Sequence, residues 1–271
     1  MKILVADKLE ATALNGMKAL GCEVISEPDL VDDSLVAALA SHNPDVLVVR
    51  STKVPRAAIE ACTGLDLIIR AGAGYNTIDV EAASERGVYV ANCPGKNSIA
   101  VAELAFGLML ALDRSIPDNV SCLKEGKWNK KAFSKGRGLY GCTLGLVGMG
   151  NIAQEMIPRA KAFGMNVIAY SRWMMPESAA ALGIARADSM EDLARQADIV
   201  SIHVSLRPET KGIIDDAFLS AMKPGSFLIN TSRAEVINQD DLLKHTESGH
   251  IKAGLDVFDG EPSGGEGSYD G

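Results

Sequence analysis

The chain has 271 residues, of which 47% are hydrophobic, and 35 acidic against 27 basic residues give it a formal net charge of −8. This length can bury a large core and favours two domains, whereas the acidic balance argues against a nucleic-acid partner. The five scattered cysteines form no C-x-x-C pair and no cysteine–histidine cluster, which predicts no metal site and indicates a reduced, cytoplasmic protein. The N-terminal apolar run is too short for a signal sequence, and Glu103 interrupts the longest later run, so no membrane association is predicted.

The first hundred residues alternate short apolar runs with helical patterns. Continuous apolarity within each run is typical of parallel strands that are covered on both faces. The expected strands are KILVA, CEVIS, DVLVVR, DLIIRAG and VYVAN, and the expected helices span residues 11–20, 34–41, 56–61 and 80–86. The turn-rich run NCPGKN, residues 92–97, follows them, so residues 1–97 are expected to form one flavodoxin-like domain.

A long helix is predicted over Ile99–Leu112, with Ser98 as its cap. It is apolar nearly all round and must be buried, either as a crossover helix inside one subunit or in a dimer interface. Its apolar surface is wider than the single stripe that a helix buries against its own domain, which favours a homodimer. The basic segment that follows, residues 124–138, is interpreted as a solvated connection because the rest of the chain is acidic.

Residues 143–171 follow the order strand, glycine turn, helix, strand. Gly148, Gly150 and Ala153 have the spacing G-x-G-x-x-A. The first glycine allows a tight turn, the second lets backbone approach a pyrophosphate at the helix N terminus, and the small alanine allows close helix–strand packing. The segment therefore predicts a dinucleotide-binding site.

The remaining sequence resumes the alternation. Strands are expected over residues 166–170, 199–204, 226–230 and 251–256, with helices such as 190–197 and 239–246, so residues 98–271 are expected to form a second, Rossmann-type domain. The predicted fold class is α/β, with two doubly wound parallel-sheet domains. The glycine-rich, acidic segment Ser263–Gly271 is expected to be a loop.

Several stretches together resemble the D-isomer-specific 2-hydroxyacid dehydrogenase family, most closely its D-3-phosphoglycerate dehydrogenase branch. They are VVRSTKV (48–54), RAGAGYNTIDVEAASERG (70–87), NSIAVAELAFGLMLALDR (97–114), GKWNKKAF (126–133), ADIVSIHVSL (197–206), MKPGSFLINTSRAEVI (222–237) and AGLDVFDGEP (253–262), besides the glycine turn. The resemblance covers nearly the whole chain. It implies an oxidoreductase that moves hydride between a nicotinamide cofactor and a small D-2-hydroxy acid, with a substrate-binding first domain and a cofactor-binding second domain.

The resemblance also implies roles for individual residues. Arg233 matches the catalytic arginine, and Glu261 matches the carboxylate that orients a catalytic histidine. The implied substrate-binding residues are Arg50, Lys53, Arg70, Ala73, Gly74 and Asn97. The implied cofactor-binding residues are Gly148, Met149, Gly150, Asn151, Ile152, Ser171, Arg172, His203, Val204, Ser205, Thr210, Thr231, Ser232 and Asp256. Two positions depart from the family pattern, which usually has proline at Ser205 and glycine at Ala234.

The catalytic histidine of the family lies in a Thr-Pro-His segment beyond the Glu-Pro pair, and the sequence ends at Gly271 before such a segment. None of the four histidines present, His42, His203, His245 and His250, matches it. A truncated sequence is therefore expected in preference to a natural pseudoenzyme. Lack of the general base would lower the rate by about 10²- to 10⁴-fold.

The choice of cofactor depends on the residues that follow the second strand of the dinucleotide-binding unit. An Asp or Glu there binds the ribose 2′-hydroxyl of NAD(H), but this chain has Ser171-Arg172, which favours NADP(H). The same pair favours a hydroxypyruvate or glyoxylate reductase as the main alternative, whereas Arg50, Lys53 and Arg70 favour a phosphorylated substrate. An alternative of another class is a corepressor-like protein that binds the dinucleotide without turnover.

Overall fold

The computed structural model describes residues 1–261, and the chain divides into two compact units, one of residues 1–97 and one that begins at Ser98. Each unit is a parallel β-sheet with helical connections, so the predicted fold class is confirmed. The predicted loop over residues 263–271 lies outside the described residues. None of the helices within residues 1–261 is long and apolar enough to cross a membrane.

The first unit contains a five-stranded sheet in the order β2-β1-β3-β4-β5. Its strands are β1 (Lys2–Val5), β2 (Glu23–Ser26), β3 (Val46–Val49), β4 (Leu67–Arg70) and β5 (Tyr89–Ala91). The helices between them are α1 (Ala11–Ala19), α2 (Asp32–His42), α3 (Arg56–Ala61) and α4 (Val80–Glu85). All strand pairs are parallel, and the order reverses between β1 and β3. Open sheets of this kind bind ligands at the carboxyl ends of their strands.

Burial on both faces explains why the strands of this unit are continuously apolar. Leu4 and Leu47 pack into one core cluster with helix residues such as Leu39, whereas Ile3 and Val48 pack into a second cluster. Successive residues of a strand point to opposite faces. A strand such as β3, which is buried at all four positions, therefore has no room for a polar side chain.

The second unit contains a six-stranded parallel sheet in the order β11-β10-β9-β6-β7-β8. Its strands are β6 (Thr143–Val147), β7 (Asn166–Tyr170), β8 (Ala185–Arg186), β9 (Ile199–Ile202), β10 (Ser226–Asn230) and β11 (Ile251–Leu255). Its helices are α5 (Ser98–Arg114), α6 (Ile116–Lys124), α7 (Asn151–Ala162), α8 (Pro176–Leu182), α9 (Met190–Gln196), α10 (Asp216–Ala221) and α11 (Gln239–Glu247). The order reverses between β6 and β9, which places the glycine turn after β6 at the switch point.

Helix α5 is buried along only one side. Ala102, Phe106 and Met109 belong to the core cluster of this unit, and the helix packs against α7, β10 and β11. Ser98, expected to precede the helix as its cap, is instead its first residue. Ile99 and Leu104 remain exposed in the single chain, so their burial in a dimer interface stays a prediction.

Candidate active site

Gly148 forms the turn between β6 and α7. Its φ of 96° lies in the left-handed region that favours glycine, and a Cβ there would lie 2.6 Å from the carbonyl oxygen of His203. Because that oxygen belongs to the backbone just after β9, a larger residue would displace the strand end. The sequence around Gly148 thus forms the strand, turn and helix start that its spacing predicts.

The N terminus of α7 offers an open space beside Gly150. Among residues 1–261, a Cβ on this glycine would meet no atom within 4 Å, and no side chain caps the helix. The first N–H groups of a helix have no intrahelical acceptor and carry a partial positive charge. The start of α7, with Met149, Asn151 and Ile152, therefore fits the pyrophosphate of a dinucleotide.

Two buried polar atoms near this edge of the sheet have no hydrogen-bond partner among residues 1–261. They are Nδ1 of His203, after β9, and Oγ1 of Thr231, after β10. Buried polar groups are nearly always hydrogen-bonded, so unpartnered atoms at adjacent strand ends are the kind of group that a ligand satisfies. Nε2 of His203 is hydrogen-bonded to Oγ of Ser201 at 2.9 Å. Burial lowers the pKa of His203 to about 4, so the ring is neutral at pH 7.

Asn230, a residue that the sequence analysis missed, shapes the segment that carries Arg233. It ends β10 and is only 1% exposed. Its Oδ1 accepts hydrogen bonds from the backbone N–H of Ser232 at 3.0 Å and from the Ser232 hydroxyl at 2.8 Å. Its Nδ2 donates to the carbonyl oxygen of Arg233 at 2.8 Å, and the Arg233 guanidinium donates to the carbonyl oxygen of Ser232 at 2.7 Å. One buried amide therefore fixes the backbone on both sides of the predicted catalytic arginine.

Three acidic residues, Asp256, Asp259 and Glu261, follow the neighbouring strand β11, and two of them are predicted site residues. The N–H of Asp256 donates to the carbonyl oxygen of Asn230 at 3.0 Å, so Asp256 lies at the same sheet edge as Arg233. Burial and the nearby carboxylate of Glu261 raise the pKa of Asp256. Glu261, the other predicted catalytic residue, accepts a 2.6 Å hydrogen bond from the N–H of Phe258. The edge beside β10 and β11 thus combines one guanidinium with two interacting carboxyl groups.

The other predicted cofactor residues also follow strand ends of this sheet. Ser171 and Arg172 come directly after β7, and no carboxylate occupies either position. Val204 and Ser205 follow β9, where Thr210 closes the loop. Its hydroxyl donates to the carbonyl oxygen of Ser205 at 2.7 Å and accepts from the N–H of Arg207 at 2.8 Å. Thr210 therefore shapes the loop through its side chain.

The first unit has a cavity of about 610 Å³ at the carboxyl ends of its strands. Four predicted substrate residues line it, namely Arg50, Arg70, Ala73 and Asn97. Lys53 instead lines a second cavity of about 360 Å³, and Gly74 lies beside Ala73 in the loop after β4. Lys96, missed by the sequence analysis, also lines the first cavity, and none of the lining residues within residues 1–261 is acidic.

Hydrogen bonds between residues distant in the sequence fix the backbone turn that contributes Arg50 to this cavity. One carboxylate oxygen of Asp7, after β1, accepts from the backbone N–H of Arg50 at 2.6 Å and from those of Ser51 and Thr52 at 3.1 Å each. Burial opposes ionisation of this carboxyl, but these donors outweigh it and lower the pKa of Asp7. The turn that presents Arg50 is therefore fixed from a neighbouring strand.

The remaining histidines have local partners. Nε2 of His42 lies 2.8 Å from a carboxylate oxygen of Glu27, and Nε2 of His245 lies 2.8 Å from one of Asp216. The rings of His245 and His250 pack together with their centroids 5.4 Å apart. These contacts give all three histidines packing or surface roles.

Comparison with known proteins identifies the family. Residues 106–267 match the family model described as "D-isomer specific 2-hydroxyacid dehydrogenase, NAD binding domain". The chain belongs to the D-isomer specific 2-hydroxyacid dehydrogenase family. The resemblance stated above is thereby confirmed, as is the expectation that the second unit is a nicotinamide-cofactor domain of this family.

Individual members of the family are similar over most of the chain. A D-3-phosphoglycerate dehydrogenase of Methanocaldococcus jannaschii is 43% identical over 264 residues, which cover 97% of this chain and 50% of that protein. A hydroxypyruvate reductase of Thermotoga maritima is 47% identical over 220 residues, which cover 80% of this chain and 70% of that protein. The crystal structure of the TT0316 protein from Thermus thermophilus has a TM-score of 0.86 and 33% identity, covering 97% of this chain and 83% of that one. The chain thus spans about half the length of the phosphoglycerate dehydrogenase.

Proposed function

We propose that the chain is an oxidoreductase that transfers hydride between a nicotinamide cofactor and a D-2-hydroxy acid, as D-3-phosphoglycerate dehydrogenases do. The observation that carries the substrate side is the cavity of the first unit, which Arg50 and Arg70 line together with no acidic residue from the described part of the chain. Guanidinium groups bind carboxylates and phosphates with paired hydrogen bonds. This cavity therefore supports an anionic substrate over a neutral one.

The second unit is proposed to hold the cofactor at the carboxyl edge of its sheet. The start of α7 would take the pyrophosphate, and His203 and Thr231 have unpartnered atoms for further polar groups. The bound nicotinamide supplies the hydride acceptor or donor. Ser171 and Arg172 support NADP(H), because a hydroxyl and a guanidinium accommodate a 2′-phosphate that a carboxylate would repel.

The chain's own residues are proposed to bind and orient the reacting groups. Arg233 would hold the substrate carboxylate or the oxygen on C2, and its backbone is fixed for this by Asn230. Glu261 would orient the group that takes the hydroxyl proton and stabilise its protonated form. His203 is unsuited to carry a positive charge at neutral pH because burial keeps its pKa near 4.

A hydroxypyruvate or glyoxylate reductase is the second candidate, favoured by the absence of a carboxylate at Ser171 and Arg172. Reduction of phosphohydroxypyruvate and hydroxypyruvate separates the two candidates. The first predicts a kcat/KM at least tenfold higher for the phosphorylated ketoacid, and equal values would favour the second.

Cofactor binding is tested by tryptophan fluorescence, because Trp173 directly follows Arg172 and is exposed. Changing Trp128→Phe leaves Trp173 as the sole tryptophan. Saturable quenching by NADPH, tighter than by NADH, is the expected result. The absence of quenching or of a rise in melting temperature with either nucleotide would overturn the proposal, whereas binding without turnover of any ketoacid would favour a dinucleotide-sensing protein.

We further propose that the protein is a cytoplasmic homodimer. Ile116, Val120 and Leu123 have helical spacing on one face of α6, each is at least 45% exposed, and no residue of this helix is buried. An exposed apolar stripe on α6, together with the exposed apolar residues of α5, supports a contact with a second copy. Five unpaired cysteines support a reducing compartment. Light scattering should give a dimer for the wild type and a monomer for Val120→Asp, and a monomeric wild type would contradict this proposal.

A further inference from the structure

A third positive side chain lines the cavity that contains Arg50 and Arg70. Lys96 belongs to the turn after β5, and neither its ammonium group nor the guanidinium of Arg50 has an acidic partner among residues 1–261. We propose that Lys96 is a specificity-determining residue, which selects 2-hydroxy acids with a second, phosphate-type anionic group over those with a carboxylate alone. This inference rests on the proposed function and adds to it the residue that recognises the phosphate.

The position of Lys96 is set by contacts between two loops. The N–H of Cys93 donates to the carbonyl oxygen of Gly72 at 2.9 Å, and Nδ2 of Asn92 donates to the carbonyl oxygen of Ala73 at 2.7 Å. These bonds attach the turn that begins after β5 to the loop that follows Arg70. Lys96 lies three residues after Cys93 in this attached turn, and β4 separates the strand before it, β5, from β3, the strand before Arg50.

The charge of the cavity matches a phosphorylated hydroxy acid. A phosphate monoester carries a charge of about −1.5 to −2 at pH 7, so a carboxylate in the same molecule brings the total to about −2.5 to −3. The two arginines provide two positive charges, and Lys96 provides the third. Asp7 is the carboxylate that contacts this region, and its Oδ2 accepts three backbone N–H groups behind the turn of Arg50.

The chemistry of the lysine side chain suits a phosphate group. Arginine holds planar groups with two parallel hydrogen bonds, whereas an ammonium group acts as a compact charge with three rotatable donors. A tetrahedral phosphate can accept from such a donor in many orientations. Lys96→Arg should therefore keep most of the selectivity, and Lys96→Met, which keeps the length but removes the charge, should lose it.

Equilibrium binding of two matched ligands tests the inference without requiring turnover. Isothermal titration calorimetry of the 271-residue chain would use 3-phosphoglycerate and D-glycerate, which differ only in the phosphoryl group. Loss of a charge-assisted contact predicts an increase of about tenfold or more in the Kd of 3-phosphoglycerate for Lys96→Met. The Kd of D-glycerate should change less than twofold. Lys18→Met, in exposed α1, is the matched control and should bind both ligands as the wild type does.

The outcomes separate this inference from the proposed function. If Lys96→Met binds 3-phosphoglycerate as tightly as the wild type, or loses both ligands equally, Lys96 does not determine specificity and the inference is overturned. If the wild-type chain binds 3-phosphoglycerate no more tightly than D-glycerate, the phosphate-selective function itself fails, and the inference fails with it. Circular dichroism of each variant would establish that the fold is retained, as expected for an exposed lysine.

Discussion

The carboxylate of Asp7 accepts a 2.6 Å hydrogen bond from the backbone N–H of Arg50, which lies 43 residues later in the chain. The two residues follow the adjacent parallel strands β1 and β3. Asp7 thus acts on the cavity through backbone and leaves the Arg50 guanidinium available for an anion. We regard it as a positioning residue.

Removing this carboxylate should weaken both the turn and substrate binding. Asp7→Ala leaves three backbone donors without their acceptor, so we expect a loss of about 1–3 kcal/mol in the free energy of unfolding at pH 7. Since the folded-state pKa of Asp7 is lowered, its stabilisation is complete above the unfolded pKa of about 3.9 and is lost as the pH falls through the folded value. Urea unfolding of the wild type and of Asp7→Ala, at pH values from 7 to 3, measures the difference in their free energies of unfolding. Asp66→Asn, at an exposed position, is the control, and a pH-independent difference for Asp7→Ala would contradict the assignment.

The two glycines of the turn should respond differently to substitution. Gly148→Ala introduces a Cβ against the backbone of His203 at a positive φ, so we expect a loss of at least about 2 kcal/mol in stability together with loss of cofactor binding. The Cβ of Gly150→Ser meets no atom of residues 1–261 and the serine supplies a good N-cap, so this variant should keep the melting temperature of the wild type. Its side chain fills the space proposed for the pyrophosphate, so the Kd for NADPH should rise about tenfold or more. Unchanged NADPH affinity of Gly150→Ser would place the nucleotide elsewhere.

Asp256 is expected to reduce the stability of the folded chain at neutral pH. Because burial and Glu261 raise its folded-state pKa, the folded chain retains a proton that the unfolded chain has released, and stability falls as the pH rises through that interval. Asp256→Asn should therefore unfold at a higher temperature than the wild type at pH 7, with the difference disappearing below the unfolded pKa of about 3.9. Differential scanning calorimetry at several pH values measures the difference. A lower melting temperature for Asp256→Asn at pH 7 would show that the carboxylate is stabilising.

His203 should remain neutral across the physiological pH range. In a two-dimensional NMR titration of the histidine rings, its carbon-bound protons should show a midpoint near pH 4, and a His203→Gln variant would assign the signal. Burial of the ring disfavours its charged form. A midpoint of about 6 or above for His203 would mean that an acidic group or solvent reaches the ring.

The local pattern of apolar residues and glycines predicts much of the fold. Most features that this pattern does not predict depend on contacts between residues distant in the sequence. Buried strands such as β3 are recognisable because every residue is apolar, and the glycine turn carries its own spacing. Strand β8 has only two residues, both exposed, so no apolar run marks it. Helix α6 has apolar residues at helical spacing, but it begins directly after α5 and buries no residue in this chain.

The same distinction applies to the candidate site. Gly148 and Gly150 can be assigned from a few neighbouring residues, whereas Asp7 acquires its role from a turn on another strand. An acid directly after an apolar run such as KILVA is the signal that could have identified it, because strand ends of open sheets meet at one edge. Asn230 carried a similar signal, as a polar residue that ends the apolar run SFLIN.

The contact between Asp7 and Arg50 also bears on hydrogen exchange. The amide protons of Arg50, Ser51 and Thr52 belong to a loop, yet their common acceptor is anchored after β1. They should exchange with deuterium more slowly in the wild type than in Asp7→Ala, because only the wild type supplies their acceptor. The protection of three loop amides then reports how long the Asp7 carboxylate stays in place behind the anion cavity.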